Sequence, residues 1–211
     1  MSSPHEQLES LHEIKTMMER SSRFISLSGL SGILAGAFAL TGAAVAYVHF
    51  GNSDYTEVYS AAAGTPDAQH ATLTFLFIDA LAVLVASLLA IGYLTARRAR
   101  KNEEEIMDDS ARRLILNLLI PLVAGGILCL IFFLKEDIGL IAPCTLIFYG
   151  LALVNGSKYT LDDIRYLGFF QIALGLLNAW FTGYGLLFWG LGFGVFHIIY
   201  GALMWNKYER N

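Results

Sequence analysis

Apolar residues in this chain fall in long uninterrupted runs, not in the one-face patterns of soluble helices or the alternation of half-buried strands. Six runs are readable, over residues 24–50, 71–96, 114–134, 138–154, 164–181 and 186–205. A helix rises 1.5 Å per residue, so about 20 residues cross the roughly 30 Å of bilayer hydrocarbon, and each run is near that length. A segment inside lipid must satisfy its own backbone N–H and C=O groups, which makes helix the expected state. The pattern predicts an all-α polytopic membrane bundle of six transmembrane helices.

The 23 residues ahead of the first run follow a different rule. Ser3, Pro4 and Glu6 read as an N-cap, a first helical residue and a capping box. Leu8, Leu11, Ile14 and Met18 then share one face, with Glu9, Glu13, Thr16 and Arg20 opposite. An amphipathic helix is expected over residues 1–23, ahead of a bundle over 24–205 and a short tail over 206–211. Its polar face is too acidic for a typical lipid-surface helix, so residues 4–20 are expected to pack beneath the bundle or bind a protein partner. No basic n-region or small-residue cleavage site accompanies the first run, which reads as an uncleaved span.

Composition agrees: 55% of the 211 residues are hydrophobic and 15% charged. A net charge of −4 with no basic patch excludes nucleic acid as a partner. Of the 14 Lys and Arg, all but Lys135 fall before run 1, between runs 2 and 3, between runs 4 and 5, or after run 6. The positive-inside rule puts those segments and both termini in the cytoplasm, which requires an even number of spans. Tyr47, Phe50, Tyr55, Trp180, Tyr184 and Trp189 cluster at the expected outer boundary. Tyr93, Tyr159, Tyr166, Trp205 and Tyr208 do so at the inner one, as aromatic belts.

Helix association in lipid relies on close backbone approach, so small residues four apart mark the packed faces. Such stripes are Ser28, Gly32, Gly36, Ala39 and Ala43 in run 1, and Asp79, Ala82, Ala86 and Ala90 in run 2. Run 5 carries Gly168, Gln171, Gly175, Asn178 and Thr182, and run 6 Gly190, Gly194, His197 and Gly201. There is one internal echo. Tyr149-Gly150, Asn155 and Lys158-Tyr159 in run 4 are matched by Tyr200-Gly201, Asn206 and Lys207-Tyr208 in run 6, as in a duplicated parallel element.

Asp79, Gln171, Asn178 and His197 lie on these stripes and are the intramembrane polar candidates. A charged carboxylate at that depth must be protonated, paired or hydrated. Asp79 and His197 are therefore read either as a proton-linked pair or as polar clamps between helices. His49 and His70 bracket the first outer connection, and with Asp54 and Glu57 they form a candidate divalent-metal set, although no spacing there is diagnostic. Cys129 and Cys144 flank the Lys135 turn and are read as packing cysteines. Pro121 with Gly125-Gly126, and Pro143, are expected to kink or break runs 3 and 4. Thr160 and Asp163 read as a capping box opening run 5.

The stretches ERSSRFISLSGLSGILAG at the first run and GYGLLFWGLGFGVFHIIYGALMWNKYE at the last resemble a family of uncharacterised bacterial multi-pass inner-membrane proteins. The resemblance implies the bacterial cytoplasmic membrane and carries no activity or site. No catalytic constellation or cofactor motif is present in the sequence, so no enzyme activity and no cofactor are expected. The sequence favours a non-enzymatic sensor, regulatory or assembly component. The alternative is a small-solute or proton-linked transporter or channel using Asp79 and His197. The expected contacts are the lipid bilayer, a second copy of the chain, and a protein partner at residues 4–20.

Overall fold

A computed structural model describes residues 28–50, 66–101, 107–135 and 137–210. The amphipathic helix expected over residues 1–23 lies outside them, as do Asp54 and Glu57. The described residues form helices α1 (Gly29–His49), α2 (Pro66–Lys101), α3 (Asp109–Leu134), α4 (Ile138–Gly156) and α5 (Ile164–Trp180). They are followed by α6 (Gly185–Trp189), a π-helical segment (Gly190–Phe196) and α7 (His197–Tyr208), with no strand among them. The protein is all-helical, and five of its helical stretches are long and apolar enough to cross a membrane. These are Gly29–His49, His70–Lys101, Asp109–Leu134, Ile138–Tyr159 and Thr182–Tyr208. The remaining apolar run forms α5, of 17 residues.

Pro121 and Pro143 sit inside α3 and α4, each a single helix from end to end. The breaks expected there are absent, and the irregular stretch lies in the last run instead. There Gly190, Gly192 and Gly194 alternate with larger residues and the ladder widens to the π pattern. The capping box at Thr160 is also corrected. Helix α5 begins after Asp163, led in by tight turns from Leu161, Asp162 and Asp163. The Asp163 carboxylate accepts from Lys207 and Tyr208 instead of turning back to the backbone. A cap the sequence reading missed opens α3, where the Asp108 side chain accepts the Ala111 N–H at 2.7 Å.

The core is made of two crossing helix pairs, α4 with α5 and α1 with α7. A Cβ built at Gly150 would lie 2.7 Å from the Gly168 carbonyl oxygen and 2.9 Å from the Ile172 nitrogen. At Gly201 it would lie 2.6 Å from both the Gly29 oxygen and the Ile33 nitrogen. Further along, a Cβ at Gly175 would meet the Ile147 nitrogen at 3.0 Å, and one at Gly36 the Ile198 nitrogen at 2.9 Å. The two crossings therefore match position by position: Ile147 and Gly150 correspond to Ile198 and Gly201, while Gly168, Ile172 and Gly175 correspond to Gly29, Ile33 and Gly36. The echo in the sequence is a repeated packing unit, in which glycine is required because backbone meets backbone.

Outside this core, α2 packs along α1 and α3 along α4. The outer faces of α2 and α3, including Leu84, Leu88, Leu89, Leu116 and Ile120, are exposed apolar surface of the kind lipid covers. Cys129 and Cys144 are free thiols at the α3–α4 contact. Each makes a long contact to a carbonyl of the other helix, Cys129 to Ile141 at 3.9 Å and Cys144 to Gly125 at 3.7 Å.

Candidate functional site

The π segment presents a backbone acceptor to the interior. The backbone N–H of His197 bonds to the Gly194 oxygen, and the Gly192 carbonyl takes side-chain donors instead. Gln171 Nε2 on α5 donates to it at 2.8 Å, and His197 Nδ1 on α7 lies 2.9 Å from it. A carbonyl can only accept, so Nδ1 carries a proton. In the neutral ring, Nε2 is then an acceptor, and the Tyr149 hydroxyl on α4 lies 2.8 Å away to donate to it. His197 is thereby held at both nitrogens by groups from two elements, with Phe193 and Tyr149 packed against its ring.

The cluster sits where the two helix pairs meet. Tyr149 and Gln171 belong to the α4–α5 pair, and His197 to the α1–α7 pair. His197 is 7% exposed and Gln171 and Asn178 are fully buried, so their polar atoms compete with no solvent. Several of those atoms are unsatisfied: Gln171 Oε1, both side-chain polar atoms of Asn178, and the hydroxyl of Tyr200. A buried polar atom without a partner costs about 1–3 kcal/mol, so groups of this kind are kept for a reason or filled by a ligand or water.

Asp79 stands elsewhere. It is half-buried on α2, where a Cβ at Gly42 of α1 would come 3.1 Å from its Oδ2 and closer still to Val83. Neither ring nitrogen of His197 is given to Asp79, since Tyr149 and Gly192 hold them. Ala82 is exposed and Ala86 half-buried, the α1 contact running through Asp79 and Val83. Gly36, Gly175, Gly190 and Gly194 are buried, and Gly32 lies against Gly201, where a Cβ would come 3.2 Å from the Gly201 Cα. At the first outer connection, His49 stacks on Phe75 with ring centroids 3.8 Å apart, and His70 is exposed. No group of three or more metal-binding side chains gathers among the described residues.

The basic end of the bundle holds a second polar assembly, unread in the sequence. Glu209 accepts from the backbone N–H of Gly29 at the start of α1, from Ser28 Oγ at 3.1 Å and from Arg98 Nη1 at 3.0 Å. One carboxylate thus caps α1 and ties it to the ends of α2 and α7, where the helix N-terminus favours negative charge. Close by in sequence, Lys207 Nζ and the Tyr208 hydroxyl donate to Asp163 Oδ2 at 2.7 and 2.8 Å. Burial pushes the Asp163 carboxyl up, but the bonds from Lys207 and Tyr208 and the Lys207 charge outweigh it, holding the group below its ordinary value. No hydrogen-bonding partner between residues this far apart in sequence is signalled by local spacing.

The arrangement can exchange a proton at His197 and transmit the change to two helix pairs at once. No family model, curated protein or solved structure matches the chain, so these residues are read on their geometry and chemistry alone.

Proposed function

We propose that the protein is a proton-responsive sensor or regulatory component of the bacterial inner membrane, non-enzymatic, with His197 as its switch. The observation that carries this is the Tyr149–His197–Gly192–Gln171 chain between the two helix pairs. In neutral His197 the Tyr149 hydroxyl donates to Nε2. Protonation turns Nε2 into a donor, reverses that bond and puts a charge at the junction of the pairs. A two-state change in how α4–α5 meets α1–α7 is the expected response.

Six spans with both termini in the cytoplasm remain part of this reading. The 17 residues of α5 extend about 25 Å, within the range of a spanning helix, and the distribution of Lys and Arg supports the orientation. A partner for the signal is proposed at residues 4–20, on the same side of the membrane.

A second reading, proton-linked transport, is favoured by the matched helix pairs, because transporter sites commonly lie where structural repeats meet. Spin labels at the exposed Leu151 on α4 and Leu203 on α7 test the first reading in liposomes. Their separation is expected to change between about pH 5 and pH 8 in the native protein and to stay fixed in His197→Gln. A pH-independent separation in the native protein rejects the sensor. Solute flux driven by a pH gradient and lost in His197→Gln selects the transporter.

A further inference from the structure

We infer that Tyr200 and Asp163 form the route by which protons reach His197, through Tyr149, from the basic end of the bundle; this rests on the proton-responsive reading of His197. The geometry begins at Tyr149. When Nε2 becomes a donor, the Tyr149 oxygen accepts, and its own hydroxyl proton must turn to another acceptor. Tyr200 supplies one. Its hydroxyl is buried and unpartnered, and it lies within electrostatic reach of Tyr149, Asp163 and Tyr208. Both tyrosine rings pack on one cluster, Leu153, Ile164 and Leu167, which holds them on the same side of α5.

Asp163 sits at the mouth of this path. It directly precedes Ile164 of that cluster, and Lys207 and Tyr208, which donate to its carboxylate, follow Tyr200 on the same helix by about two turns. The Asp163 side chain is 29% exposed, enough to exchange protons with water, whereas His197 is enclosed. The sequence pattern adds a reason for the pair of tyrosines. Tyr149 and Tyr200 occupy corresponding places in the repeated Tyr-Gly unit, so the packing that brings Gly150 and Gly201 into their crossings also sets both hydroxyls toward the junction of the pairs.

The transfer balances without a further reactant. A protonated Asp163 gives its proton to the Tyr200 oxygen while the Tyr200 proton passes to the Tyr149 oxygen and the Tyr149 proton to His197 Nε2. Asp163 ends as a carboxylate, His197 as an imidazolium, and both tyrosines are unchanged. Discharge runs the same steps in reverse. Lys207 and Tyr208 face Asp163 throughout, and their bonds to it keep the carboxylate available to capture the next proton.

The test follows His197 in proteoliposomes of the full chain by infrared spectroscopy after light-triggered release of protons, the imidazolium band being the one absent in His197→Gln. Tyr200→Phe keeps the ring and removes the hydroxyl. It is expected to slow the rise of the band by at least roughly tenfold while leaving its equilibrium midpoint in place. Asp163→Asn is expected to slow it as well, and Tyr166→Phe, at an exposed position on α5, to leave it unchanged. A native rate in Tyr200→Phe overturns the route and leaves the switch intact. Absence of any His197 imidazolium band in the native protein across the titration overturns both.

Discussion

Tyr149 and His197 meet across α4 and α7 with the hydroxyl 2.8 Å from Nε2, joining the two helix pairs that make up the core. Tyr149→Phe removes this bond and leaves His197 its contact with the Gly192 carbonyl. Interhelical hydrogen bonds in membranes contribute about 0.6 kcal/mol on average, and a buried acceptor left unpaired costs about 1–3 kcal/mol. A loss of roughly 1–2 kcal/mol is expected by reversible unfolding in mixed micelles. An unchanged midpoint would mean that His197 finds another donor.

The two glycine crossings should respond alike. Alanine at Gly150 or Gly201 drives a Cβ into the backbone of the facing helix, to within 2.7 and 2.6 Å respectively. Each substitution is expected to destabilise by about 1–3 kcal/mol despite the better helix propensity of alanine. Gly126→Ala, where nothing lies within 4 Å, should be neutral or slightly stabilising in the same assay. Equal tolerance at all three sites would remove the matched crossings as a determinant of the fold.

Glu209→Gln should weaken the clasp at the basic end by about 1–2 kcal/mol, since a charged acceptor serves the α1 terminus and Arg98 together. Arg98 and Glu209 side chains are only 18% and 17% exposed, which limits screening by water. A double-mutant cycle with Arg98→Gln should be non-additive, and additive losses would show that the two groups act separately.

The Asp163 carboxyl titrates below its unfolded value, because the bonds from Lys207 and Tyr208 outweigh its burial. Its contribution to stability is therefore complete above the unfolded carboxylate value and is lost as pH falls through the lower, folded value. Acid unfolding curves should show this limb in the native protein and a flatter one in Asp163→Asn. Identical acid limbs would indicate that the pair with Lys207 does not hold the folded state.

The sequence exposed the parts of this fold that depend on solvent. Runs of apolar residues marked where the helices form, with ends within a few residues of those observed, because burial in lipid leaves no other way to satisfy the backbone. Gln171, Asn178 and His197 could be assigned to packed faces, since small residues around them mark close approach. The two prolines misled because a helix held on both sides can absorb one missing hydrogen bond, whereas the alternating glycines of Gly190–Phe196 carried a weaker signal and made the actual irregularity.

What the sequence by itself determined is a membrane-type helical chain with polar residues placed on internal stripes, all properties of spacing along one helix. Only the tertiary structure decided that His197 meets Tyr149 and the Gly192 carbonyl while Asp79 lies against Gly42, and that Glu209 caps α1. These pairings join residues tens to hundreds of positions apart. Which helices cross, and in what register, is set by glycine-to-backbone contacts that act between elements, and no local pattern encodes the partner.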